Sequence, residues 1–194
     1  MENYKVETEE YKGYNINIYQ DDGAQNPREW DNISTMLCFH RGYSLGDKTD
    51  LKSSDFNGWN SLYDYLKKEL KAVIILPLYL YDHSGISIKV GSYQGLLPQG
   101  HAEFDSGQVG FVYVTAEKLK TEGLTKKKGE EVIRAEVETY NKYLTGEVYG
   151  FSVEKDEKDF DSCWGFYDIK DAIAEAKSNI DYLAKDEKSL QLQY

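Results

Sequence analysis

Apolar and polar residues alternate near the start of the chain with the period of a strand. Tyr14, Ile16 and Ile18 interleave with Asn15, Asn17 and Tyr19. Thr35, Leu37 and Phe39 interleave with Met36, Cys38 and His40. Alternation sends successive side chains to opposite faces, so 14–19 and 34–40 are expected strands. Their closeness in sequence predicts an antiparallel pair. The period then lengthens. Trp59, Leu62, Tyr63, Leu66, Leu70 and Val73 recur at helical spacing, with Asp55 or Asn57 as cap. The apolar run 73–81 predicts a buried strand, Asp82-His83-Ser84-Gly85 a turn, and 86–90 the hairpin partner.

Residues 91–107 read as a long glycine-containing loop and 108–114 as another strand. Thr115 is placed to cap a short helix through Lys120. A second long helix is expected over 126–144, with the stripe Ile133, Val137, Tyr140 and Leu144 and a stop at Gly146. Segments 147–153 and 162–167 are expected to pair across a charged turn, 154–161. Asp168 precedes a last helix with the stripe Ile169, Ala172, Ile173, Ala176, Ile180 and Leu183. Residues 1–10 read as a loose end or an edge, and 186–194 as a loose tail. Strands outnumber helices and many connections are hairpins. The expected class is α+β, a mostly antiparallel sheet with about three longer helices packed on it.

Composition narrows this. The 194 residues predict one globular domain, 1–194, long enough to bury a substantial core. The 17 tyrosines and 3 tryptophans exceed what a disordered chain carries. The longest apolar run is too short to span a bilayer, and no cationic-apolar leader opens the chain. Two cysteines, Cys38 and Cys163, do not make a disulfide framework, so both are expected reduced in an intracellular protein. The formal net charge of −11 disfavours direct binding to nucleic acid and favours basic partners or a divalent cation. Lys126-Lys127-Lys128 does not change that, and no glycine-rich phosphate loop is present.

Candidate chemistry lies in polar segments beside the strands. Asp21, Asp22, Glu29 and Asp31, with Asp82 and Asp105 at other strand ends, would hold Mg²⁺, Mn²⁺ or Ca²⁺ if those ends converge; otherwise they brace solvated turns. Cys38, His40, His83 and His101 are possible zinc ligands, but they lack the paired short spacing of most zinc sites, and a core cysteine beside a hydrogen-bonded histidine is the favoured reading. A Cys38/His83 nucleophile–base pair is allowed by residue type only. Phe104-Asp105-Ser106-Gly107 has the local form of an aspartic-protease turn, and also of an ordinary turn. Arg28 and Trp30 are residue types that dominate interfaces. They present a hot spot if exposed, whereas Trp30 could instead cover the sheet with Arg28 paired to a nearby carboxylate.

Several segments taken in order carry a resemblance: Pro27-Arg28-Glu29-Trp30-Asp31-Asn32, Leu76-Pro77-Leu78-Tyr79-Leu80-Tyr81-Asp82-His83-Ser84-Gly85, Phe104-Asp105-Ser106-Gly107-Gln108-Val109-Gly110, Glu136 through Gly150, and Asp161-Ser162-Cys163-Trp164-Gly165-Phe166. From residue 20 to about 167 the chain resembles a family of small bacteriophage and prophage proteins. The resemblance implies a phage origin and one intact domain, with the cytoplasm of an infected bacterium as the expected location, and it supplies no mechanism.

Three functions follow as expectations. The first is an acidic interaction protein that blocks a host nucleic-acid-binding defence factor, of the anti-CRISPR or anti-restriction kind, and needs no cofactor. Its expected recognition residues are Asp21, Asp22, Arg28, Glu29, Trp30, Asp31, Asp82, His83 and Asp105. The second is a metal-dependent hydrolase or nuclease using Asp21, Asp22, Asp82, His83 and Asp105. The third is a protein that sequesters a nucleotide-like ligand in a pocket formed by loop 91–107 and aromatic strands.

Overall fold

A computed structural model of the chain describes residues 4–98, 100–156 and 158–191, with side chains through Leu183. It is an α+β fold in which every strand pairing is antiparallel. The chain divides into two compact units, residues 1–25 with 146–194 and residues 26–145. Length alone suggests one domain; the chain leaves the first unit at Gln25 and returns to it at Gly146. Among the described residues no helix is long and apolar enough to cross a membrane.

The first unit is a four-stranded sheet with one helix on it. Its strands are β1 (Lys5–Tyr11), β2 (Tyr14–Gln20), β7 (Tyr149–Lys155) and β8 (Lys158–Phe166), in that order across the sheet. Helix α5 (Ile169–Gln191) lays its stripe on one face. Ala172, Ala176 and Ile180 meet Tyr14, Ile16 and Ile18 of β2 and Phe151 and Val153 of β7, all buried. Two alanines in that stripe let the helix approach closely, which suits the flat face of a sheet. Asp168 holds the helix start by accepting from Lys170 N at 2.8 Å.

The second unit is a sheet covered on both faces. Strands β3 (Thr35–Cys38), β6 (Ser106–Thr115), β4 (Ala72–Asp82) and β5 (Ile86–Val90) lie in that order. Helix α1 (Gly58–Lys68) covers one face through Leu62 and Leu66 against Leu37, Ala72 and Phe111. Helix α4 (Lys126–Thr145) covers the other through Ile133, Val137 and Tyr140 against Met36, Ile74, Leu78, Val112 and Val114. Burial on both sides explains why β4 is a nearly continuous apolar run rather than an alternating one. Two shorter helices, α2 (His101–Phe104) and α3 (Ala116–Thr121), flank β6. Thr115 caps α3 as expected, its hydroxyl accepting from Lys118 N at 3.2 Å.

Three expectations change, and one alternative is decided. Strands β2 and β3 belong to different sheets, because each finds its partner far along the chain: Ile18 lies opposite Phe151, and Leu37 opposite Phe111. Of the two alternatives for the N-terminus, the edge is the one observed: β1 runs from Lys5 onward at the border of its sheet, and Met1–Asn3 lie outside the described residues. Most of the expected charged turn 154–161 is strand, since β7 and β8 pair as far as Lys155 opposite Lys158. Charged residues suit an exposed hairpin end as well as they suit a loop. The tail is helical in backbone through Gln191, and 192–194 lie outside the described residues.

Candidate functional site

The residues gathered most closely lie at one end of the second unit's sheet. Pairing of β4 with β6 brings Tyr81 opposite Ser106, and Asp82 N donates to Asp105 O at 2.8 Å. That contact fixes the turn after β4 against the segment entering β6. Within the turn, Ser84 and Gly85 have φ of 59° and 155°, and His83 N donates to Gly85 O at 3.0 Å. Short α2 then sets His101 one turn before Asp105, whose N–H donates to His101 O at 2.9 Å. Three side chains converge as a result. His83 Nδ1 lies 3.1 Å and His101 Nδ1 3.8 Å from Asp105 Oδ2.

Tyr81 braces both imidazoles. Its ring stacks on His83 at 6.0 Å with an interplanar angle of 15°, and its hydroxyl lies 3.3 Å from His101 Nδ1. Tyr93 packs on Tyr81 at 5.6 Å, and burial raises the Tyr93 phenol above its ordinary value. Beside the cluster, Tyr43 donates to Asp82 Oδ1 at 3.2 Å, and that hydrogen bond raises the Tyr43 phenol. His40 stacks on Tyr43 at 4.9 Å. A recess of about 310 Å³ opens here, lined by His40, Leu80, Asp82, Phe104, Asp105 and Gln108 among others.

Among the described residues, His83, His101 and Asp105 are the one group of three or more His, Cys, Asp or Glu side chains whose ligand atoms lie within 4.8 Å of one another. Asp21, Asp22, Glu29 and Asp31 are not in it. Asp21 closes its own turn by accepting from Gly23 N at 3.1 Å. Asp22 and Glu29 are exposed, and Asp31, also exposed, lies 3.4 Å from Lys118 Nζ. Of the four possible zinc ligands, His83 and His101 lie in the cluster and Cys38 and His40 stand outside it, while Asp105 supplies its third member. Cys38 packs against the core instead, and burial pushes its thiol up to about 12, so it is no nucleophile near neutral pH. Asp105 sits in an ordinary turn in this respect: its carboxylate faces an imidazole, and the Asp82 carboxylate faces a phenol.

Arg28 is the clearest change among the expected recognition residues. It is buried, with Nε donating to Asp47 Oδ1 at 2.8 Å and Nη2 to Asp47 Oδ2 at 2.9 Å and Ser34 O at 2.8 Å. Its Nη1 lies 3.7 Å from Glu136 Oε2, and Glu136 also accepts from the N–H groups of Ile33 and Ser34 and from the Ser34 hydroxyl. Pro27 and Arg28 sit in a 3₁₀ turn capped by Asn26, which turns the guanidinium inward. Its charge is spent inside the protein, while Trp30, two residues on, stays 45% exposed.

The two units differ sharply in charge. Residues 1–25 with 146–194 contain 18 acidic and 8 basic side chains, a formal −10, and residues 26–145 contain 16 and 15, a formal −1. The whole-chain value of −11 therefore belongs almost entirely to the first unit. No protein-family model, curated protein or solved structure matches this chain.

Proposed function

We propose that the chain is a phage-encoded binding protein that inhibits a host nucleic-acid-binding defence factor by occupying its basic surface. The observation that carries this is the confinement of net charge to the first unit. A formal −10 on one small unit is far denser than −11 spread over 194 residues. Glu7 and Glu10 of β1, Asp22, Asp159 of β8, and Asp168, Asp171 and Glu175 about the start of α5 are all exposed. Glu7 lies opposite Ile18 and Glu10 opposite Asn15, so the acids flank both faces of the sheet, and such a unit steers toward a groove built for phosphate, with rates that fall as salt rises. Phe160 and Trp164 of β8 are 43% and 41% exposed on the same unit, and aromatic anchors supply the short-range energy that charge alone does not. Asp21 and Asp22 remain on this acidic unit, whereas Arg28 drops out of the recognition set.

The test is capture of host proteins by the tagged full-length chain, followed by challenge with duplex DNA and with salt. Support is a stoichiometric nucleic-acid-binding protein that both treatments release, and that Glu7→Lys with Glu10→Lys and Asp22→Lys no longer retains. A chain that captures nothing, or whose partner ignores both treatments, overturns the reading.

A further inference from the structure

We infer that His83, His101 and Asp105 form a binding site for a divalent transition-metal ion of the zinc type. The inference is independent of the inhibitor reading, since it concerns the nearly neutral second unit and not the acidic one.

The donor set points to this class of ion. Two imidazoles and one carboxylate suit zinc and its first-row neighbours, whereas Mg²⁺ and Ca²⁺ take oxygen ligands. The spacing agrees. Ligands held about 2.0–2.1 Å from a tetrahedral ion are separated by roughly 3.3 Å. His83 Nδ1 and His101 Nδ1 stand 3.1 and 3.8 Å from Asp105 Oδ2, and one ligand atom from each of the three side chains lies within 4.8 Å of the other two.

The support around the cluster is what a metal site needs. Three backbone hydrogen bonds, Asp82 N to Asp105 O, His83 N to Gly85 O and Asp105 N to His101 O, hold the two segments that carry the ligands. Tyr81 packs against both imidazoles, stacking on His83 and placing its hydroxyl 3.3 Å from His101 Nδ1, which restricts the orientation of the two rings. The three side chains are 50%, 38% and 32% exposed, so an ion can enter. Three protein ligands also leave a position for water or for a ligand atom, and Asp105 borders the 310 Å³ recess.

The experiment uses tag-free full-length protein stripped with chelator, titrated with Zn²⁺ by calorimetry and with Co²⁺ by visible absorption. The expected result is one saturable equivalent, and a four- or five-coordinate Co²⁺ spectrum without a thiolate charge-transfer band. His83→Ala, His101→Ala and Asp105→Asn should each abolish binding while keeping the wild-type circular dichroism. His40→Ala and Cys163→Ser should bind as wild type. Absence of saturable binding, survival of binding in His83→Ala or Asp105→Asn, or a thiolate band in the wild-type Co²⁺ spectrum would overturn the site. The spectrum decides the matter even if a variant fails to fold.

Discussion

Arg28 and Asp47 form a two-point contact, Nε to Oδ1 at 2.8 Å and Nη2 to Oδ2 at 2.9 Å, with the Arg28 side chain 2% exposed. Asp47 Oδ2 also accepts from Met36 N at 2.8 Å, so the pair ties the 3₁₀ turn at 27–29 to strand β3. Glu136 of α4 binds the same stretch through Ile33 and Ser34. A segment that looks like an exposed recognition loop is therefore a buried electrostatic clamp.

Removing one partner of such a pair strands the other charge. Arg28→Ala should cost about 3–5 kcal/mol of stability, because Asp47 and Glu136 would be left facing each other without a cation. Lysine cannot reproduce the fork, so Arg28→Lys should recover only part of the loss. Urea unfolding of both variants checks this, and an Arg28→Ala loss under about 1 kcal/mol would contradict the clamp.

Trp164 of β8 lies across Gly150 of β7, directly opposite it in the pairing. A Cβ added at Gly150 would stand 2.1 Å from Trp164 Cε3. Gly150→Ala should push the indole off the sheet, cost about 1–3 kcal/mol and change the tryptophan emission. In a Trp164→Ala background the same change should be nearly neutral, so a double-mutant cycle measures the contact.

Gly110 is tighter still. An added Cβ would meet Leu37 O at 1.9 Å, a backbone atom that cannot rotate away. Gly110→Ala should spread β3 from β6 and lower the thermal midpoint more than Gly107→Ala, where nothing lies within 4 Å. Scanning calorimetry of the two variants gives the comparison.

The two cysteines should react very differently. Cys163 is exposed, while burial holds the Cys38 thiol at about 12, well above its ordinary value of 9.0. Iodoacetamide at pH 8 should label Cys163 alone in the native protein and both residues in urea, read by mass spectrometry. The raised folded value also sets a sign. Between pH 9 and 12 the unfolded thiol has lost its proton and the folded one has not, so this group lowers stability as pH rises through that window. Cys38→Ser should flatten that part of the stability curve.

The chain itself determined most of the strands and the long helices, because hydrophobic period is a local property. Alternation at 14–19 and helical spacing at 126–144 and 169–183 needed no partner to be legible, and neither did the caps at Thr115 and Asp168 or the charge of −11. Only tertiary structure decided which face meets which neighbour. Pattern marks a buried face without naming what covers it, so β2 and β3 fell into separate sheets and Arg28 turned inward to Asp47. The same holds for the chemistry. His83 and Asp105 stand 22 residues apart, and His101 and Asp105 share only a short turn within a stretch that reads as loop. Pairing of β4 with β6 closes that distance, a long-range event with no local signature, and it brings the three side chains together.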